Sequence, residues 1–202
     1  IRLINFAHGE FFMIGAFVGL YLVLAKVPLI LVFPAAMLVS GLTAVLVERL
    51  VYRPIRHAGK IPALITALGT SLFFQYAGQM VLGAEPRPFP TPYEDKTHML
   101  GDVMVTDTQI IIVAVTFVLM GLLWWLVKCT KIGKAMRAVS YNKDAAELMG
   151  IDTNKIISFT FFLGASLAGA AGVLVGMYYN TVEPLMGLTL GLKAFVAAVM
   201  GG

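Results

Sequence analysis

Asn5, His8 and Glu10 stand at the head of an apolar run, INFAHGEFFMIGAF (4–17), with Gly9 among them. An amide, an imidazole and a carboxyl are costly to place where lipid would otherwise lie, and polar side chains in such positions commonly belong to a solute or ion path. Gly9 permits a break in the chain. A helix beginning there would aim its N-terminal amides, and the positive end of its dipole, into the protein, and Glu10 in the first turn would be favoured electrostatically. At headgroup depth the same side chains would simply cap a helix. Gln75 and Gln79 are four residues apart and share one helical face. They either line a polar path or bond a neighbouring helix. Glu183 and Lys193 lie in NTVEPLMGLTLGLKAF (180–195) and offer both signs of charge, as a zwitterionic solute requires. A turn at Glu183-Pro184 and a snorkelling Lys193 also account for them.

No catalytic constellation accompanies these residues. HAGKIP (57–62) has a Gly-Lys pair without the rest of a phosphate loop, and HExxH, CxxC and GxSxG are absent. His8, His57 and His98 are far apart, and the lone Cys129 excludes an internal disulfide framework or a cysteine-based metal site. The sequence therefore predicts a protein that is not an enzyme, with no catalytic residue, metal or cofactor of its own. Energy for uphill movement would come from an ion gradient or another subunit.

The elements that position these side chains are membrane spans. The 202 residues are 59% hydrophobic and 13% charged, against about a quarter charged in a soluble domain, which points to an integral membrane protein. The net charge of +4 then concerns orientation rather than nucleic acid, which is not expected as a partner. Five spans are predicted, at 4–25, 29–47, 61–82, 108–127 and 156–179, with a sixth beginning near 191. Starting at Ile1 and stopping in AAVMGG, the chain is read as an internal fragment of a longer protein, and no signal peptide can be assigned. Link 48–60 holds Arg49, Arg53, Arg56 and Lys60 against Glu48, and link 128–155 holds six basic residues against three acidic ones. Between them, 84–107 holds two basic and five acidic. Two spans separate the basic links, so both can face the cytoplasm, as positive links do. Gly15 and Gly19, and Gly172 and Gly176, form GxxxG pairs, and the span FFLGASLAGAAGVLVGMYY, which includes Gly169, is rich in small residues throughout. Such stretches let helix backbones approach closely in lipid.

The most soluble-looking stretch is KAMRAVSYNKDAAELMGIDTNK (134–155). Helix formers surround Ala135–Arg137 and Ala145–Met149, and Ile132, Met136, Val139, Ala146 and Met149 form a broken apolar stripe. Gly150 is suited to the left-handed position that ends a helix. A basic amphipathic segment of this kind lies on a leaflet or docks a soluble partner.

DAAELMG (144–150) resembles the EAA-xxx-G motif of ABC importer permeases, with Asp144 in place of Glu. Where that motif continues with Ile-x-Leu-Pro, this chain has Thr160-Phe161-Phe162-Leu163. INFAHGEFFMIGAF, VYRPIR, LITALGTSLFFQ, TKIGKAMRA and GLKAFVAAVMGG, in this order over essentially all 202 residues, resemble the LivH-type permease of branched-chain amino acid ABC importers. The resemblance implies an all-α integral membrane protein: a polytopic helical bundle of about six spans, residues 1–202 forming one permease domain. By comparison it lacks a first span and the final spans. A short cytoplasmic coupling helix in 128–155 would place Arg137, Asp144, Ala145, Ala146 and Gly150 against an ATPase. The implied partners are a second, LivM-like permease, two cytoplasmic ATPases that bind ATP and Mg, and a periplasmic or lipid-anchored binding protein. The setting is a bacterial or archaeal cytoplasmic membrane. Urea and short-chain amide permeases share the AHGE type of segment and stay open as the alternative. A stand-alone carrier or channel would need an ionisable relay deep in the spans, and away from His8 and Glu10 the first five spans hold none.

Overall fold

A computed structural model describes residues 7–56, 58–90, 96–100 and 103–201. They fall into two compact bodies, one of residues 2–92 with 161–202 and one of residues 93–160.

The first body is built around α1 (His8–Leu24), against which α2 (Leu29–Val47), α4 (Lys60–Leu82) and α9 (Met186–Gly201) pack. Phe11, Met13 and Leu20 on α1 are almost wholly covered. Helix α1 is apolar on nearly every face and is the most fully covered helix of this body over its first four turns, with Tyr21 and Leu24 exposed near its end. The second half of α8 (Thr153–Tyr179) completes the body. Among the described residues four helical stretches are long and apolar enough to cross a membrane: Leu29–Ile55, Ile61–Leu82, Asp107–Cys129 and Thr153–Tyr179. Helix α1 is shorter, at 17 residues, and the start of the span expected from residue 4 lies outside the described residues. The helix expected to begin near 191 begins at Met186, directly after the Glu183-Pro184 turn. Of the six expected spans, four therefore reach full length among the described residues.

Link 48–60 is largely helical. Helix α2 continues through a π-helical turn, Glu48–Tyr52, into α3 (Arg53–Ile55). Glu48 is fully buried and pairs with Arg56, so one acid that counts in the sequence only as a reduction of positive charge is a structural group. At the opposite end, β1 (Arg87–Pro88) pairs antiparallel with β4 (Thr181–Val182). Arg87 donates to the Tyr21 hydroxyl at 3.1 Å and to the Leu82 carbonyl, joining this ribbon to two helix ends.

In the second body a hairpin, β2 (Thr97–Leu100) with β3 (Val103–Thr106), leads into α5 (Asp107–Cys129). Thr106 and Gln109 form a reciprocal capping box that starts α5. His98 Nε2 lies 2.7 Å from Asp107 Oδ1. The apolar side chains of α5, Phe117, Trp124 and Trp125 among them, are exposed, as suits a helix surrounded by lipid. Two short helices follow, α6 (Lys131–Tyr141) and α7 (Lys143–Leu148).

Asp152 precedes α8 and accepts from the Lys155 amide at 3.1 Å, with the Lys155 ammonium also 3.1 Å away. The amide and then the ammonium hold its carboxyl below the usual range. A depressed carboxyl stabilises the fold above the ordinary Asp value of about 3.9, and that contribution is lost as pH falls through the folded value. The Lys155 amide is therefore expected to exchange hydrogen faster as pH drops below about 4, beyond the intrinsic pH dependence. Asp152→Asn should abolish this extra sensitivity, and an unchanged profile in that variant would refute the cap.

Candidate functional site

Glu10 sits in the first turn of α1 and is fully buried. Its Oε1 accepts from Ser71 Oγ at 2.8 Å and from Gln75 Nε2 at 2.9 Å, and Gln75 Nε2 also reaches Ser71 Oγ at 3.1 Å. Ser71 and Gln75 share a face because they are one turn apart. Ser71 is the central residue of Lys60–Leu82, so the carboxyl lies against the middle of α4. Glu10 Oε2 is buried with no hydrogen-bond partner among the described residues. Ser40 of α2 donates to the Phe11 carbonyl at 3.0 Å, a second polar tie on α1. The Phe11 ring meets His8 and Phe74 edge-on at 6.5 Å and 6.2 Å. One carboxyl oxygen is thus committed to two neutral donors and held in place, and the other is free to accept from an added donor such as an ammonium, amide or hydroxyl. Among the described residues no group of His, Cys, Asp and Glu is placed to hold a metal.

The basic segment of the second body is two helices, not one. Asn142 is extended (φ −150, ψ 110), ends α6 and begins α7, its side chain accepting from the Ala145 amide at 3.0 Å. Local side-chain bonding of this kind competes with helix continuation, which is why the helical composition is broken there. Gly133 lets α6 fold tightly back on α5: a Cβ there would lie 2.3 Å from the Leu126 and Val127 carbonyls. Arg137 donates to the Val127 carbonyl, satisfying the end of α5. Helix α7 ends in a Schellman motif, with the Gly150 amide bonded to the Glu147 carbonyl at 2.9 Å and the Ile151 amide to Ala146 at 3.0 Å. Gly150 has φ +81. The apolar stripe divides: Val139 and Ala146 are buried, Met136 is half-buried, and Ile132 and Met149 are exposed. Tyr141, Leu148 and Met149 stand out by 83% or more. Asp144 and Ala145 are exposed in the first turn of α7.

A sequence model of the family described as "Branched-chain amino acid transport system / permease component" matches residues 1–202. This chain belongs to that permease family. The branched-chain amino acid permease BraD of Pseudomonas aeruginosa is 35% identical over all of this chain and 70% of its own length. LivH of Escherichia coli is 34% identical over the same shares, and the ribose import permease RbsC of Haemophilus influenzae is 26% identical over 98% of this chain and 60% of its own. No solved structure matches. The chain is a LivH-type permease, all-α and multi-pass in the membrane, of the kind that works in ABC importers.

In this permease none of the other described polar candidates bonds to Glu10. Asn5 lies outside the described residues. His8 is exposed at the start of α1. Gln79 is half-buried, one turn beyond Gln75, where Gly78 already faces Met13 and Pro184. Glu183 and Lys193 are both exposed, and no ion pair joins them among the described residues. Ser71, which by sequence could bond back to its own helix as Thr66 and Thr70 could, instead donates to Glu10 beside Gln75; its position one turn before Gln75 was the available signal. Thr66 and Thr70, by contrast, bond back to their own helix, at 2.8 Å each.

The small residues face one another. A Cβ on Gly15 would lie 2.2 Å from Gly169 Cα, and one on Gly172 would lie 2.2 Å from the Phe12 carbonyl oxygen. Gly19 abuts Val173, and Gly176 abuts Val182 and Phe89. At two crossings α1 and α8 therefore touch backbone to backbone, which is what the absence of side chains permits.

Proposed function

We propose that this permease is one of two membrane subunits of an ATP-driven importer for branched-chain or related apolar amino acids. Two cytoplasmic ATPases bind ATP and Mg, a LivM-like permease lies beside it, and a periplasmic or lipid-anchored binding protein delivers the solute. The membrane is the cytoplasmic membrane of a bacterium or archaeon. The family match along the whole chain carries the reading. The α6–α7 unit is the coupling element: exposed Tyr141, Leu148 and Met149 supply apolar contacts, with Asp144, Ala145 and Gly150 setting the shape of α7, Arg137 tying α6 to the end of α5 and buried Ala146 seating α7. Movement of the ATPases shifts the spans between outward- and inward-open populations through this contact. Glu10, supported by Ser71 and Gln75, lines the path.

The test is co-purification of the tagged full-length protein from its native membrane, followed by ATPase assays with its binding protein and leucine, urea, short amides or ribose. Stimulation by leucine supports the reading. Stimulation by urea or amides alone moves it to the alternative substrate class, and a single chain without ATPase partners overturns it.

Gly150→Trp sharpens the coupling assignment. Nothing lies within 4 Å of a Cβ there, so the side chain has room. The left-handed backbone costs an L-residue only about 1–2 kcal/mol. The variant should reach the membrane yet lose solute-stimulated ATPase and uptake, whereas Gly150→Asn, which tolerates this conformation, should keep most of both. Normal uptake in the Trp variant would remove α7 from the coupling path.

A further inference from the structure

The basic end of the first body carries an open groove of about 400 Å³ between the end of α2 and the face of α4. Leu46, Leu50 and Val51 form one wall, and Gly69, Phe73 and Phe74 the other. The volume is in the range of small-ligand sites, about 300–1,000 Å³. Its only polar lining groups, Thr66 and Thr70, each donate their hydroxyl to a carbonyl of their own helix. Both hydroxyl protons are therefore committed, and the rest of the described lining is apolar. Gly69 keeps it open, since a Cβ there would meet nothing within 4 Å.

The π-helical turn and α3, which carry Leu50 and Val51, also carry Arg49 and Arg53. Both arginines are exposed and neither has an ion pair among the described residues. The third arginine of the segment, Arg56, is committed to buried Glu48. Two exposed guanidiniums therefore belong to the same helical segment as one wall of an apolar trough whose other wall is the membrane-spanning length of α4.

We propose that this groove is a binding site for an anionic phospholipid, with one acyl chain along Leu46, Leu50, Phe73 and Phe74 over Gly69, and the phosphate headgroup held by Arg49 and Arg53. Guanidinium matches phosphate geometry with paired N–H donors. Basic residues at the inner leaflet attract anionic headgroups, each contributing about a fivefold preference. The groove shares no lining residue with the Glu10, Ser71 and Gln75 cluster and calls for no particular transported solute.

The experiment is native mass spectrometry of the full-length protein in its complex, reconstituted in equal phosphatidylglycerol and phosphatidylethanolamine and then released into mild detergent. Wild type is expected to retain phosphatidylglycerol in preference to phosphatidylethanolamine. Arg49→Gln with Arg53→Gln should reduce that preference about fivefold per arginine while the complex stays assembled. Gly69→Leu fills the trough without a clash and should reduce retention of both lipids. Equal retention of the two lipids by wild type, or variants that behave as wild type, would overturn the site. So would a Gly69→Leu protein that sheds the second permease with lipid retention untouched, which would give the groove to that subunit.

Discussion

Replacing Glu10 with Gln is expected to leave the permease folded and assembled and to cut solute uptake by about ten- to a hundredfold. The amide oxygen of the new side chain can still accept from Ser71 and Gln75, which donate to Oε1 at 2.8 Å and 2.9 Å. The change falls on Oε2, buried and without a partner among the described residues, where an acceptor becomes an NH2 donor. If that oxygen receives a donor during transport, the loss corresponds to one hydrogen bond to a charged group, about 1.5–3 kcal/mol. The reading needs two measurements, uptake by the reconstituted complex and its thermal midpoint. Wild-type uptake with a lowered midpoint would make the carboxyl a purely structural tie between α1 and α4. Glu10→Ala separates the roles further. It strands Ser71 and Gln75 in a buried setting, which costs about 1–3 kcal/mol in stability, and so lowers both readouts.

Gly172→Leu is expected to prevent recovery of folded protein. The Cβ alone would sit 2.2 Å from the Phe12 carbonyl oxygen and 2.9 Å from the Ala16 nitrogen, and backbone cannot rotate aside as a side chain can. Overpacking a well-filled core costs about 1–3 kcal/mol and sometimes more. Here α1 and α8 must separate, and Ser40, whose hydroxyl holds the Phe11 carbonyl, lies over the neighbouring Gly169. Gly19→Ala should show the graded form of the effect, a lowered midpoint with protein still recovered, because its Cβ would meet only the Val173 side chain, at 2.7 Å. Gly121→Ala is the control. Its Cβ would meet nothing within 4 Å, and replacing a mid-helix glycine is expected to raise stability by about 0.5–1 kcal/mol. Size-exclusion profiles and thermal midpoints in one detergent distinguish the three, and a Gly172→Leu protein with a wild-type midpoint would show that the α1–α8 contact is not tight.

Several features follow from local sequence alone. Runs of about twenty apolar residues specify helices of spanning length because backbone polar groups in lipid must be satisfied within the segment, and α2, α4, α5 and α8 begin and end close to the expected boundaries. Gly150 as a helix terminator is also local, since a left-handed residue after Met149 is written into the residue type. The family was legible in the order of short motifs from INFAHGEFF to GLKAFVAAVMGG, and the match over residues 1–202 agrees. Asn142 is the local signal that sequence reading passed over: helical composition on both sides outweighed a single capping residue that splits the basic segment into α6 and α7.

The pairing of distant polar groups was decided only in three dimensions. Glu10 and Gln75 both drew attention as polar residues in apolar runs, but nothing within either run says that they meet, 65 positions apart, or that Ser71 completes the set. Glu183 and Lys193, which offer both signs of charge to a zwitterionic solute, are both exposed, and Glu48, one acid in a basic link, is buried with Arg56. Helix period and apolar length are properties of neighbours in the chain. Which faces close on one another depends on where glycine removes a side chain, as Gly15 and Gly169 do between α1 and α8. The sequence by itself determined a multi-span membrane permease with a basic helical segment; only the packing of one helix backbone against another decided which carboxyl is buried, which partners hold it and which of its oxygens is left free.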